Sequence, residues 1–270
     1  FEGSWRPVFF ILAVPGILCY WLMKKYVADS PKTLFERGKV KKDEYDMITA
    51  AVSVEASEHG KKYSSKAYAT DIQFYLFTAS YTLMLMIYWG MTTWISTFLV
   101  KQHGMNLKTM GFYASMPYVV AFFAMYIGGW MADTWFPKKP RLVAIIAFLG
   151  CIPVLYFIGH VPKGETNMLL MWLCLGGFFI NLPWGLMFSY PGLRYPKEIV
   201  GRAVGTSNGV GQFGAFISPM IAGYLVITLP DKTYDFGNVF VFWSLLAVVG
   251  TMAVAFLDEK AITDPAISKT

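Results

Sequence analysis

Residues 201–229 read GRAVGTSNGVGQFGAFISPMIAGYLVITL, and this stretch is the most informative part of the chain. It holds no charged residue after Arg202, and about 20 residues of such composition are enough to cross a bilayer as a helix. Glycines recur every fourth residue near its start, at positions 201, 205 and 209. Because small residues let helices approach closely in lipid, we predict a transmembrane helix that packs on its neighbours through these glycines.

Polar side chains lie in the middle of the same stretch, at Ser207, Asn208 and Gln212. A polar group inside a bilayer is tolerated beside a partner or a water-filled cavity, so we expect Asn208 to face a solute pathway. Residues 209–214, GVGQFG, also fit the glycine fingerprint of dinucleotide-binding folds. That fingerprint requires a preceding strand and an acidic residue about 20 positions on, whereas the flanks here are one apolar run. We therefore predict helix packing and no cofactor.

The composition is that of a membrane protein. The chain has 270 residues, of which 56% are hydrophobic and 15% charged, compared with about 25% charged in soluble domains. The net charge of +6 therefore does not indicate nucleic-acid binding. Three cysteines lie in separate apolar segments and three histidines are scattered in loops or at segment ends, so no disulfide set or metal site is predicted.

Seven apolar segments are long enough to be membrane spans. They are residues 7–23, 72–100, 110–132, 142–159, 168–190, 203–229 and 239–257. Lys and Arg are distributed unevenly between the loops, with 18 on one side of the predicted membrane and 5 on the other. By the positive-inside rule, the N-terminus of this chain is expected outside and the C-terminus in the cytoplasm of a multi-pass protein of the inner (plasma) membrane.

Several motifs follow one another along nearly the whole chain. They are WRPVFF at 5–10, ADSP at 28–31, TWISTFLV at 93–100 with Gly104-Met105, GGWMAD at 128–133 with basic residues 138, 139 and 141, and PKEIVG at 196–201 leading to Asn208 and Gly211. Together they resemble the major facilitator superfamily, and within it the anion:cation symporter family.

The resemblance implies an all-α membrane protein, the C-terminal six-helix bundle of a major facilitator fold plus the preceding sixth helix. Residues 1–23 would be that sixth transmembrane helix and 24–71 the central cytoplasmic loop. A periodic run at 43–56 allows a short amphipathic helix in this loop, but a solvated linker between two membrane halves is the favoured interpretation. Residues 72–257 would form the six-helix transmembrane domain and 258–270 a cytoplasmic tail. The family's two halves rock about a central cavity, and the N-terminal half would be missing from this chain.

No Asp, Glu, Lys or Arg lies in the core of any predicted span. Proton relays and charge-paired anion sites require such residues, so this half is expected to supply a neutral cavity wall. The resemblance places the proton-coupling carboxylate and the substrate-binding arginine in the missing half. It implies transport of a small organic anion, such as a sugar acid, hexuronate or other carboxylate, by cation-coupled symport with H⁺ or Na⁺.

Aromatic rings and amides are the candidates for the neutral wall. We expect the substrate-binding residues to be Tyr81, Asn181, Trp184, Asn208 and Gln212. Asn181 and Trp184 flank Pro183, which removes a backbone donor and frees a carbonyl that a polar cavity can use.

A second set of residues suits gating. Asp133 ends a predicted span beside a basic turn that includes Arg141, and such an arrangement can pair across helix ends in one transport state. Arg202 is the expected counterpart in a neighbouring loop.

Two other classes fit parts of the sequence. Seven spans with this orientation match a seven-helix receptor, although the last span lacks the lysine of retinal proteins and the long loop is misplaced. An intramembrane enzyme would need paired acids, a nucleophile with a base, or metal ligands within the spans, and none is seen. We therefore expect that the protein is not an enzyme.

Overall fold

The computed structural model describes residues 6–27, 30–58, 67–230 and 233–258, without the side chains of 51–58. The expectations that involve Trp5, Ala28, Asp29 and residues 259–270 lie outside the described residues. The chain divides into two compact units, residues 1–62 and 63–270, and each is described by itself.

The described part of the first unit contains three helices: α1 (Arg6–Tyr26), α2 (Pro31–Glu36) and α3 (Lys42–Glu58). Helix α2 begins because the Ser30 side chain accepts a hydrogen bond from the Thr33 N–H, with Pro31 at the first helical position. It ends at Glu36, and Gly38 two residues on has a φ of 66°, which suits glycine. Helix α3 covers the periodic run at residues 43–56, for which a helix was the less favoured interpretation.

The second unit contains seven α-helices among its described residues. They are α4 (Ile72–Lys101), α5 (Leu107–Thr134), α6 (Arg141–His160), α7 (Thr166–Asn181), α8 (Trp184–Arg194), α9 (Lys197–Leu225) and α10 (Gly237–Ala255). A short 3₁₀ turn, Ala67–Thr70, precedes α4. Strands β1 (Ile227–Thr228) and β2 (Tyr234–Asp235) pair antiparallel between α9 and α10.

Two of the predicted spans are corrected by these bounds. The span 168–190 is broken at Leu182-Pro183 into α7 and α8, because proline cannot continue the backbone hydrogen-bond ladder. The span 203–229 instead runs from Lys197 to Leu225. It begins earlier because Pro196 precedes it and Glu198 suits a first turn, and residues 227–228 belong to β1 instead.

Six helices in the described part of the chain have the length and hydropathy to cross a membrane. They are α1, α4, α5, α6, the α7–α8 pair and α10. The helix predicted first, α9, has 29 residues and hence a length of about 44 Å, but it is not among the six. Its glycines and amides dilute the hydropathy that identifies the others.

The core of the second unit lies between α4 and its neighbours. Helix α4 packs along α9 and α10, α10 packs on α6, and α7 packs on both α5 and α6. The Trp243 Nε1 donates to Ser218 Oγ at 3.3 Å, and that hydroxyl donates to the Met86 carbonyl at 2.6 Å, which joins α10, α9 and α4. Gly90 makes this junction possible, since a Cβ there would lie 2.7 Å from the Trp243 ring nitrogen.

Helices α5 and α7 approach so closely that backbone meets backbone. A Cβ on Gly128 of α5 would lie 1.9 Å from the Leu182 carbonyl oxygen. A Cβ on Gly177 of α7 would lie 2.4 Å from the Pro117 carbonyl oxygen. Glycine at both positions is therefore a condition of this packing.

The glycines of α9 that pack are not the ones predicted. Within the second unit, a Cβ on residue 201, 205 or 209 would meet nothing within 4 Å, so the predicted packing through these positions is wrong. Gly211 and Gly214 contact α4 instead. The reason is helical register: 211 and 214 share a face with the buried Ser207 and Ser218, and the predicted stripe lies on the opposite face.

Candidate functional site

Three of the predicted site residues form one hydrogen-bonded cluster between α4 and α9. The Tyr81 hydroxyl donates to Asn208 Oδ1 at 3.2 Å. Gln212, one turn further along α9, donates to the same oxygen through Nε2 at 3.4 Å. Asn208 and Gln212 are exposed, while Tyr81 is only 6% exposed. One end of the Asn208 amide is therefore occupied, and its other end makes no hydrogen bond within the described residues.

The close approach that forms this cluster depends on Gly211. A Cβ at this position would lie 2.9 Å from the Tyr81 ring and 2.7 Å from Leu85 Cδ1. Since residue 211 is one turn from Asn208, its missing side chain brings the Asn208 amide within reach of α4.

Trp184 packs next to the cluster, at the start of α8. Its ring meets Tyr81 edge-on with 6.4 Å between the ring centroids, and Tyr88 edge-on at 5.6 Å. It stacks on Phe188 at 5.3 Å with 22° between the ring planes. The indole N–H donates to Asn181 Oδ1 at 3.0 Å.

A cavity of about 110 Å³ opens beside this cluster, between α4, α8 and α9. Its lining includes Phe77, Tyr81, Met187, Phe188, Val204 and Asn208. The two remaining lining residues are Pro191 and Ser207, so no charged side chain lines it. The lining of this cavity is therefore uncharged, and its role as the wall of a solute pathway stays a prediction.

Asn181 does not line this cavity, although it accepts a hydrogen bond from Trp184. It lines a smaller cavity of about 30 Å³, together with Tyr88, Thr92 and Tyr118. It is 8% exposed, and its amide is occupied at both ends, since Nδ2 donates to the Gly177 carbonyl at 2.8 Å. The structure thus brings Tyr81, Trp184, Asn208 and Gln212 together and leaves Asn181 behind Trp184.

A buried ion pair at one end of the bundle was not predicted. Arg194, the last residue of α8, donates through Nε to Asp71 Oδ2 at 2.6 Å and through Nη2 to Oδ1 at 2.9 Å. Both side chains are 10% exposed. Tyr195 also donates to Asp71, at 2.9 Å, and Arg194 donates to the Asp258 carbonyl at 3.2 Å. We call this group the Asp71 cluster; it joins the start of α4, the end of α8 and the residues after α10.

The predicted gating residues lie near the end of the second unit that holds the Asp71 cluster. Arg141, at the start of α6, donates to the carbonyls of Ala255 and Leu257, at the end of α10. Asp133 and Arg202 are exposed and form no pair with each other in the described part of the chain. A gating role for Asp133, Arg141 and Arg202 stays a prediction.

The Asp71 cluster makes stability depend on pH. Burial raises the pKa of Asp71, but the hydrogen bonds from Arg194, the Gln73 N–H and Tyr195 outweigh burial and hold this pKa below its ordinary value of 3.8. A depressed carboxyl pKa adds stability above the unfolded-state value, and this is lost as pH falls through the folded-state value. We expect the unfolding temperature to fall below about pH 4, and Asp71→Asn to remove part of that fall. Asp133→Asn, at an exposed carboxylate, is the control and should leave the pH profile unchanged.

Among the described residues, no group of three or more His, Cys, Asp or Glu could hold a metal ion.

The family model described as the Major Facilitator Superfamily matches residues 2–219. The chain belongs to this superfamily. With its apolar helices, this makes it a multi-pass membrane protein of the all-α major facilitator type, and the expected superfamily is confirmed.

Curated relatives match most of the chain at low identity. A niacin transporter of Acinetobacter baylyi is 24% identical over 273 residues, which cover 95% of this chain and 59% of the relative. A D-galactonate transporter of Escherichia coli is 25% identical over 183 residues, covering 63% and 39%. A hexuronate transporter of Bacillus subtilis is 22% identical over 275 residues, covering 97% and 60%. The chain thus spans less than two thirds of the length of these relatives.

Proposed function

We propose that this chain forms the wall contributed by the C-terminal half of a secondary transporter for a small organic anion. The observation that carries the proposal is the neutral cavity beside Asn208, whose amide keeps one end unpaired next to Tyr81 and Gln212. An unpaired amide in a largely apolar cavity can bind a carboxylate or hydroxyl of a solute with little reorganisation. The superfamily and the relatives named as transporters of organic acids support this assignment.

The charged groups that transport of an anion requires indicate which half of the transporter would supply them. An organic anion inside a bilayer requires a positive partner, and a coupling cation requires a carboxylate or comparable oxygens. The described cavity offers neither, so both would come from the N-terminal half that the relatives' greater length suggests. We propose cation-coupled symport by alternating access on this basis, in the anion:cation symporter family, with either H⁺ or Na⁺ as the coupling ion.

The proposed orientation rests on the loops. The excess of Lys and Arg in alternate loops places the Asp71 cluster, the turn after Asp133 and the residues after α10 on the cytoplasmic side. The Asn208 cluster then lies deeper in the membrane, since residue 208 is 11 residues along α9 from Lys197, or about 16 Å. This depth is consistent with a substrate site near the bilayer midplane.

Asn208→Ala in the complete protein is the test of the proposal. We expect the Kd or KM for the transported anion to rise about tenfold or more, because a hydrogen bond to a charged group contributes about 1.5–3 kcal/mol. Membrane insertion and expression should not change, since Asn208 is exposed within this unit. Asn238→Ala provides a matched control, since Asn238 is an exposed asparagine at the start of α10, outside the cavity. Unchanged uptake kinetics for Asn208→Ala would contradict the proposal.

A further inference from the structure

The hydrogen-bonding groups of the cavity that remain available lie together at one point of its lining. Only three of its lining residues are polar: Tyr81, Ser207 and Asn208. Ser207 Oγ bonds to Thr78 Oγ1 at 2.8 Å, and both side chains are buried. The Tyr81 hydroxyl donates its hydrogen bond to Asn208 Oδ1. This leaves the Asn208 Nδ2 group as a donor, the Tyr81 hydroxyl oxygen beside it as an acceptor, and the far end of the neighbouring Gln212 amide.

The rest of the lining is apolar. Phe77 and Phe188 contribute aromatic rings, and Met187, Pro191 and Val204 contribute aliphatic or thioether surface without a strong hydrogen-bonding group. Phe188 lines the cavity, stacks on Trp184 and is 63% exposed, so much of its ring surface is available for contact with a further ring. The wall therefore offers an extended apolar surface with one local polar point.

Such a wall discriminates between two kinds of organic acid. A polyhydroxylated sugar acid carries hydroxyl groups along its whole length, and each hydroxyl placed against this surface would lose its water without gaining a partner. A planar aromatic acid buries its ring faces against Phe188 and the neighbouring apolar residues, and needs hydrogen bonds only at its carboxylate or a ring heteroatom. The single amide at Asn208 matches this second pattern.

We infer that the preferred substrate is a small planar aromatic monocarboxylate, and that Phe188 and Trp184 determine this preference over sugar acids. The inference rests on the proposed function, since it requires that the cavity beside Asn208 takes an organic anion. Phe188 would contact the ring directly. Trp184 would act as a positioning residue, because it holds Phe188 by stacking and is itself fixed by Asn181.

The test is equilibrium binding to the complete protein, with benzoate and nicotinate as aromatic probes and D-gluconate and D-galactonate as sugar-acid probes of equal charge. We expect the aromatic acids to bind at least about tenfold more tightly than the sugar acids. Phe188→Leu should reduce this ratio to about threefold or less while leaving the unfolding temperature unchanged, because the side chain is mostly exposed. Phe216→Leu, at a phenylalanine of α9 that is 65% exposed and outside the cavity lining, should keep the ratio.

The outcomes separate this inference from the proposed function. Equal or tighter binding of sugar acids by the unmodified protein would overturn the aromatic preference and leave anion transport standing. An unchanged ratio in Phe188→Leu would overturn the role assigned to this side chain. If none of the four probes binds, the proposed function fails and this inference fails with it.

Discussion

Arg194→Ala is expected to lower the free energy of unfolding by about 3–5 kcal/mol, measured by reversible denaturation of the protein in detergent. The reason is that Asp71 would remain buried with its charge and lose both bonds from the guanidinium, at 2.6 and 2.9 Å. The same substitution removes a donor from the Asp258 carbonyl. Three chain segments would thus lose their common contact.

An exposed ion pair in the same chain gives the control. Lys32 and Glu36 are 3.9 Å apart with side chains that are 75% and 62% exposed, so Lys32→Ala should cost less than about 0.5 kcal/mol. The double variant Asp71→Asn with Arg194→Gln keeps hydrogen-bonding groups without charge, and should be less destabilised than Arg194→Ala alone. A cost for Arg194→Ala as small as that for Lys32→Ala would show that the pair is not buried.

Gly128→Ala is expected to disrupt the packing of α5 on α7, at a cost of about 3 kcal/mol or more. An added methyl group would overlap the Leu182 carbonyl oxygen, since the two atoms would be 1.9 Å apart. Overpacking against side chains typically costs about 1–3 kcal/mol, and a backbone atom cannot rotate away as a side chain can. The measurement is the unfolding temperature of the variant, together with its yield of monodisperse protein.

The neighbouring glycine offers a matched control. A Cβ on Gly129 would meet nothing within 4 Å, so Gly129→Ala makes the same chemical change on the same helix without a clash. It should be neutral or slightly stabilising, because alanine has the higher helix propensity. Equal unfolding temperatures for the two variants would contradict the close α5–α7 approach.

Helix positions were predictable where charge and apolar length coincide. The span predicted at 72–100 differs from α4 by one residue, since Asp71 caps its start and Lys101 ends it. The bounds of α9 were not predictable in this way, because the charged residues Lys197 and Glu198 suggested a loop. In the structure they form the first turn of the helix after Pro196. The glycine stripe failed for another reason: periodicity shows which residues share a face, but not which face the neighbouring helix covers.

The candidate site was predictable in part. Spacing alone placed Asn208 and Gln212 one turn apart on a common face, and the structure confirms this pairing. As substrate-binding residues, the five predicted side chains remain predictions. That Asn181 faces a different cavity depends on the break at Pro183, which sequence indicated only as a local effect. The Asp71–Arg194 pair joins residues 123 positions apart, and its only signal was an acid just before one span and a base at the end of another.

The most direct measurement is the thiol reactivity of Asn208→Cys in the complete protein, with its native cysteines replaced by serine. We predict labelling by a charged, membrane-impermeant reagent and protection from labelling by a saturating organic carboxylate, because Asn208 lines the solute cavity. Leu155→Cys, at a position that is 0% exposed, should stay unlabelled. Reaction of residue 208 with a lipid-soluble reagent alone, unaffected by any carboxylate, would show that it faces acyl chains and would contradict the account.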